Sequence, residues 1–121
     1  MATPERKAKI ELVKTPYLIS PKHFLRYVFF TEMQVDQAAK ILNELIKKDG
    51  KIPQSEWQIF VLTSRGLYVK VMRKLRNAGL VEKNMGEFSL SKNFSQSITK
   101  LANFWSDIIQ SFEGGDRSIE F

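Results

Sequence analysis

The 121-residue sequence predicts an α+β, mostly α chain. Three observations carry that prediction. Between positions 31 and 79, apolar residues recur at three- and four-residue spacing in three stretches divided by Ser, Pro and Gly. Two short strand-like runs then flank Asn84-Met85-Gly86. A final stretch carries apolar residues at positions 94, 98, 101, 105, 108 and 112.

Residues 1–9 are polar and basic and are expected to form an arm. Ile10, Leu12 and Val13 suggest a short strand or an extended strap before Pro16. Ser20-Pro21 is a helix start, because Ser caps orphan amides and Pro suits the first turn. A short helix is expected over 22–30, although the cluster Tyr27-Val28-Phe29-Phe30 equally suits a strand. Thr31 or Asp36 caps the next helix, where Ala38, Ile41, Leu42, Leu45 and Ile46 share one face. Lys47 and Lys48 complement the negative end of its dipole, and Gly50 ends it.

Lys51-Ile52-Pro53-Gln54 reads as a connector in which Ile52 can form a short strand. Pro53 and Ser55 open a second helix to about Val61, with Trp57, Phe60 and Val61 facing inward. Ser64 caps a third helix over 65–77, its inner face marked by Tyr68, Met72 and Leu75 and flanked by Val71. Ala78-Gly79 stops that helix. Leu80-Val81-Glu82-Lys83 and Glu87-Phe88-Ser89-Leu90 form a hairpin, with Gly and Asn supplying positive φ in the turn. A long helix over 93–112 has apolar spacing 4, 3, 4, 3, 4, the pattern of a coiled-coil seam, and Gly114-Gly115 ends it. The expected organisation is a basic N-terminal arm and short extension over 1–30, a domain over 31–92, and a C-terminal helix and tail over 93–121.

Composition narrows the function classes. The chain has no cysteine, which removes disulfides, thiolate zinc sites and Cys nucleophiles. His23 is the only histidine, so no zinc site of known ligand spacing can be assembled, and no metal or cofactor is expected. No glycine-rich phosphate loop, nucleophile elbow or paired-carboxylate signature is present, which argues against an enzyme. No apolar run approaches the ~18 residues of a membrane span. The polar N-terminus does not resemble a signal peptide, so a cytoplasmic protein without membrane contact is expected.

The net charge of +6 is unevenly spread. Residues 65–92 hold seven bases and two acids, and residues 1–30 six bases and two acids. Residues 31–64 and 93–121 are net acidic. The basic block therefore coincides with the third helix and the hairpin, as expected of a nucleic-acid footprint beside a separate interaction element.

Three helices, a terse turn before the third and a hairpin after it resemble the winged helix-turn-helix family. The resemblance is carried by Tyr68-x-x-x-Met72-x-x-Leu75-Arg76-Asn77-Ala78-Gly79-Leu80-Val81 and the run 82–91, and covers residues 31–92. It implies a DNA-binding protein of the small archaeal or bacterial dimeric regulator type. Most such proteins regulate transcription, and small archaeal ones also serve as chromatin components. Winged helices also act as protein-docking modules in transcription and replication assemblies, which is the alternative function.

Projection at 100° per residue supports the DNA reading independently. With Tyr68, Met72 and Leu75 inward, Gly66, Lys70, Arg73 and Asn77 point outward, flanked by Val69 and Lys74. No acid lies between Arg65 and Asn77. A helix of this width enters a major groove, where Lys70 and Arg73 read guanine or hold phosphate and Gly66 permits close approach. Ser64 and Arg65 stand at the helix N-terminus, where amides favour a phosphate. The candidate DNA-binding residues are thus Ser64, Arg65, Gly66, Val69, Lys70, Arg73, Lys74 and Lys83. The wing is poor in bases, with Glu82 and Glu87 beside Lys83, and the arm Arg6-Lys7-Lys9 is a second source of phosphate contacts.

The seam Phe94, Ile98, Leu101, Trp105, Ile108 and Phe112, joined by Phe104 and Ile109, is expected to be a homodimer interface. The aromatic cluster at 27–30 is the second candidate.

Overall fold

The computed structural model describes residues 20–29 and 31–121. The expected basic arm, the Ile10-Leu12-Val13 strap and Phe30 lie outside the described residues. The element order is α1 (Pro21–Leu25), α2 (Glu32–Lys47), β1 (Lys51–Pro53), a 3-10 helix (Gln54–Phe60), α3 (Arg65–Ala78), β2 (Val81–Asn84), β3 (Glu87–Leu90) and α4 (Asn93–Glu113). The chain is α+β and mostly helical, with one small antiparallel sheet ordered β1-β3-β2.

The helix expected over 22–30 is a single turn. Its start is as expected, with Ser20 as N-cap and Pro21 in the first turn, and the Ser20 amide donates to His23 Nδ1 over 3.3 Å. Tyr27, Val28 and Phe29 are weak helix formers. The chain turns at 26–28 and carries Phe29 into the core.

Thr31, not Asp36, caps α2, its Oγ1 accepting from the Gln34 amide over 3.2 Å. Ala38, Ile41 and Leu45 are buried as the periodicity requires. Ile46 is 62% exposed, because the buried face is centred on Val35, Ala38, Ile41 and Leu45 and its flank is taken by Gln34, Gln37 and Glu44. Ile46 stands about 80° round the helix from Ala38, on the opposite flank.

The segment expected as a helix from Pro53 to Val61 is instead a 3-10 turn kinked at Glu56. Pro53 still belongs to the sheet, paired with Glu87, and the Gln54 amide donates to the Gly86 carbonyl over 2.8 Å. The segment is thus held at its start by the sheet and at its end by the Gln37 side chain, which bonds the Phe60 carbonyl and the Leu62 amide. Ile52 does form a strand and faces Phe88 across the sheet.

The hairpin turn is two residues long. Met85 (φ 52°) and Gly86 (φ 78°) take the positive φ values, the pattern of a type I′ connection, while Asn84 ends β2. One core joins Leu25 and Phe29, the inner face of α2, Ile52, Phe60, the inner face of α3, and Val81 and Phe88 of the sheet.

Candidate functional site

The packing fixes which face α3 presents. Tyr68, Val71, Met72 and Leu75 are buried, so Arg65, Gly66, Val69, Lys70, Arg73, Arg76 and Asn77 are left on the surface. Ser64 starts this helix, its Oγ accepting from the Leu67 amide over 3.2 Å. Gln37 sets the turn before it. This fully buried side chain donates to the Phe60 carbonyl (2.7 Å) and accepts from the Leu62 amide (3.1 Å), tying α2 to the chain that launches α3.

An aromatic column runs from the core to the start of α3. Phe88 meets Phe60 edge-on (5.8 Å between centroids), Phe60 stacks on Tyr68 (6.0 Å), and Tyr68 stacks on Trp57 (5.7 Å). The Arg65 guanidinium lies over the Trp57 ring at 5.2 Å. Arg65 is thereby held at the helix N-terminus by a cation–π contact rather than by an acid. Burial pushes the Tyr68 phenol above its ordinary pKa, so it stays neutral in the physiological range. Gln54, Trp57, Arg65, Tyr68, Val69 and Phe88 line a recess of about 220 Å³ here.

The sequence-predicted cations are distributed unequally. Lys70 and Arg73 are exposed on the outer face of α3. Lys74 is half-buried and turns back to α2, where its Nζ donates to Gln34 Oε1 over 3.3 Å. Lys83 is exposed on the edge strand β2 opposite Phe88. Cross-strand partners share a sheet face. Lys83 therefore lies on the face that also carries Phe88, a wall of the Arg65–Val69 recess. Arg76 was missed by the sequence reading. It is exposed on the Arg65–Val69 flank, near enough to the Tyr68 phenol to act on its charge. Projection at 100° per residue sets it about 40° from the buried Met72, at the edge of the inner face, which is why the projection that selected Lys70 passed over it.

Four ion pairs occur among the described residues, and all lie on α1, α2 and the turns that flank them. They are Lys22–Asp36 (2.6 Å), Arg26–Glu32 (3.0 Å), Lys40–Glu44 (2.9 Å) and Lys47–Glu44 (3.8 Å). The hydrogen bond from Lys40 holds the nearly buried Glu44 carboxyl below its ordinary pKa. Arg65, Lys70, Arg73, Arg76 and Lys83 take part in none of these pairs, and Gly66 has open space where a Cβ would stand. Among the described residues, no group of His, Cys, Asp or Glu is placed to hold a metal ion.

α4 leaves the domain at a stitched joint. Gly79 caps α3 at φ 82°, its carbonyl accepts from the Phe94 amide over 2.9 Å, and a Cβ there would lie 2.7 Å from that amide nitrogen. Phe94 meets Phe24 edge-on at 5.2 Å. No residue of α4 is buried. Phe94, Ile98, Ile108 and Ile109 are half-covered, whereas Leu101, Phe104, Trp105 and Phe112 are exposed. At the far end the tail folds back, with Arg117 over the Phe112 ring (4.1 Å) and donating to the Phe112 carbonyl (2.8 Å).

Residues 16–110 match the model of an archaeal family. The chain belongs to that archaeal family. No curated protein and no solved structure matches it. The matched span of the archaeal family takes in α1 to α3, the sheet and most of α4, so the cationic face and the exposed helix fall within it. No helix among its described residues is long and apolar enough to cross a membrane.

Proposed function

We propose that this archaeal protein binds double-stranded DNA in the cytoplasm as a homodimeric winged helix-turn-helix protein, a transcriptional regulator or chromatin component rather than an enzyme. α3 docks in the major groove and α4 pairs the two copies. One observation carries the DNA reading: every ion pair among the described residues lies around α1 and α2, whereas Arg65, Lys70, Arg73 and Arg76 of α3 are exposed and join none of them. A face kept only for solubility mixes its signs. An uncompensated one releases counterions on meeting phosphate.

In this arrangement Lys70 and Arg73 reach base edges or phosphates, and Gly66 lets the backbone approach the groove wall. Arg65, steadied on Trp57, holds a phosphate at the helix N-terminus. Lys83 is the one wing cation, and the neighbouring Glu82 and Glu87 keep the wing out of the minor groove.

The docking-module alternative rests on exposed Ile59, Leu62 and Val69 around the start of α3, which suit a protein partner. Fluorescence anisotropy with a random duplex across a salt series separates the two. The DNA reading expects binding at low salt that falls steeply as salt rises, and a large loss in the Lys70→Ala/Arg73→Ala variant. Equal affinity of parent and variant would refute it.

A further inference from the structure

We propose that the recess at the start of α3 binds a small phosphomonoester carried on a flat ring, a free pyrimidine mononucleotide, and that the bound nucleotide releases DNA. This rests on the DNA-binding reading above and adds a ligand that regulates it. The recess is the space of about 220 Å³ between Gln54, Trp57, Arg65, Tyr68, Val69 and Phe88.

Two unused groups mark it as a ligand site. Tyr68 is 6% exposed, with its ring against Phe60 and Trp57. Its hydroxyl has no hydrogen-bond partner among the described residues, and no fully buried side-chain polar atom among them is orphaned. The hydroxyl therefore reaches open space, and the open space that Tyr68 lines is this recess. Phenylalanine would keep the same ring contacts without desolvating a hydroxyl that pairs with nothing. Burial keeps the phenol protonated, so it donates at neutral pH. The second group is the Arg65 guanidinium. It lies over the Trp57 ring and forms no ion pair or hydrogen bond with the described residues, so its N–H groups stay available to an anion.

Charge and size select the ligand. No Asp or Glu lines the recess. Arg76 stands near enough to act on the charge of the phenol, and Lys83 shares the sheet face of Phe88. Glu82 and Glu87 alternate onto the other face. This excess of cations suits the dianion of a phosphomonoester, whose oxygens accept from the guanidinium fork and the phenol together. The volume of about 220 Å³ is the share of roughly seven waters. It holds one ring and is smaller than the ~300 Å³ at which sites for larger ligands begin. Trp57, Val69 and Phe88 give it apolar walls, and the Gln54 amide offers a donor and an acceptor. The edge of a base uses both, whereas a hydrocarbon ring uses neither.

Release of DNA follows from shared residues. Arg65 and Val69 wall the recess and also belong to the face that meets DNA in the reading above. A nucleotide phosphate on Arg65 takes the guanidinium that would hold a backbone phosphate, and sets negative charge beside the duplex. Each occupant therefore lowers the affinity of the other by the same factor.

The two tryptophans supply the test, since Trp57 lines the recess and Trp105 lies on α4. Thymidine monophosphate is titrated at constant ionic strength into 15N-labelled protein, with the indole signals assigned by Trp105→Phe. The Trp57 signal should move saturably and the Trp105 signal should not. Thymidine, without the phosphate, and ribose 5-phosphate, without the base, should bind at least about tenfold more weakly. Tyr68→Phe keeps the ring contacts and should weaken nucleotide binding about tenfold. Its duplex affinity should match that of the parent, and about tenfold more nucleotide should be needed to release the duplex in anisotropy. Arg65→Gln, a change at an exposed residue, should weaken both ligands. No saturable Trp57 shift, equal affinity for thymidine, or parental nucleotide affinity in Tyr68→Phe would overturn the site. Duplex binding that ignores saturating nucleotide overturns the regulation. A single-stranded oligothymidylate without terminal phosphate that moves Trp57 at lower concentration than the nucleotide overturns the free ligand in favour of an unpaired strand. Nucleotide binding by a chain that ignores duplex DNA refutes only the DNA reading, and duplex binding without a Trp57 response to nucleotide refutes only the site.

Discussion

The Gln37 side-chain amide donates to the Phe60 carbonyl over 2.7 Å, and its oxygen accepts from the Leu62 amide over 3.1 Å. A buried amide on α2 thus replaces the backbone partners that the chain loses where the 3-10 helix stops. Removing it leaves two backbone groups unpaired under the start of α3. Gln37→Leu should destabilise the fold by about 2–3 kcal/mol. Urea unfolding monitored by circular dichroism measures this; a change within experimental error would mean that water or a shifted backbone takes over both bonds.

Gly66 separates folding from binding. A Cβ at this position meets nothing within 4 Å, so the domain itself does not need glycine there. Gly66→Ala should leave stability unchanged or raise it by ~0.5 kcal/mol. The added methyl points where the groove wall would lie, and DNA affinity should fall ~10-fold, or ~1.4 kcal/mol. Parallel thermal melts and anisotropy titrations give both numbers.

Lys74 and Arg73 are sequence neighbours with different expectations. Lys74 is engaged with Gln34 on α2, whereas Arg73 is exposed. Arg73→Ala should lower the slope of log affinity against log salt by ~0.9, the loss of one phosphate neutralised. Lys74→Ala should change that slope by a small fraction of this. Equal effects would place Lys74 on the DNA instead.

Acid sensitivity should trace in part to Glu44. The hydrogen bond from Lys40 lowers its pKa in the folded chain, helped by the charges of Lys40, Lys47 and Lys48. A depressed folded pKa means that the charged carboxylate favours the native state. Its contribution is present above the ordinary glutamate value of about 4.3 and is lost as pH falls through the lowered value. Glu44→Gln should therefore lower the urea midpoint at neutral pH and flatten its decline between about pH 5 and 3. Urea midpoints for both proteins across that range test the sign.

Much of the fold was legible because local chemistry dictates it. Ser64 and Gly79 delimit α3 through capping and positive φ, and Tyr68, Met72 and Leu75 face inward because helical period puts them on one side. Long-range pairing was not legible in the same way. Nothing near Pro53 announces that the segment will be held at its start by Glu87 and Gly86 and at its end by Gln37, which is why the expected helix became a 3-10 turn. Ile46 looked like a core residue because periodicity alone does not say where the centre of a buried face lies. Met85 entered the left-handed region because a two-residue turn requires it, whatever residue stands there.

Sequence by itself determined α2, α3 and α4 as helices, the cationic outer face of α3 and the apolar seam of α4, since each follows from residue spacing along one helix. Tertiary structure decided which of those charges stay available. It drew Lys74 onto Gln34, set Arg65 on Trp57 and left Lys70 and Arg73 in solvent. It also left the α4 seam largely uncovered, because Gly79 and Phe24 fix only its first turn against the domain. These outcomes depend on contacts between residues distant in sequence, and no local pattern encodes them.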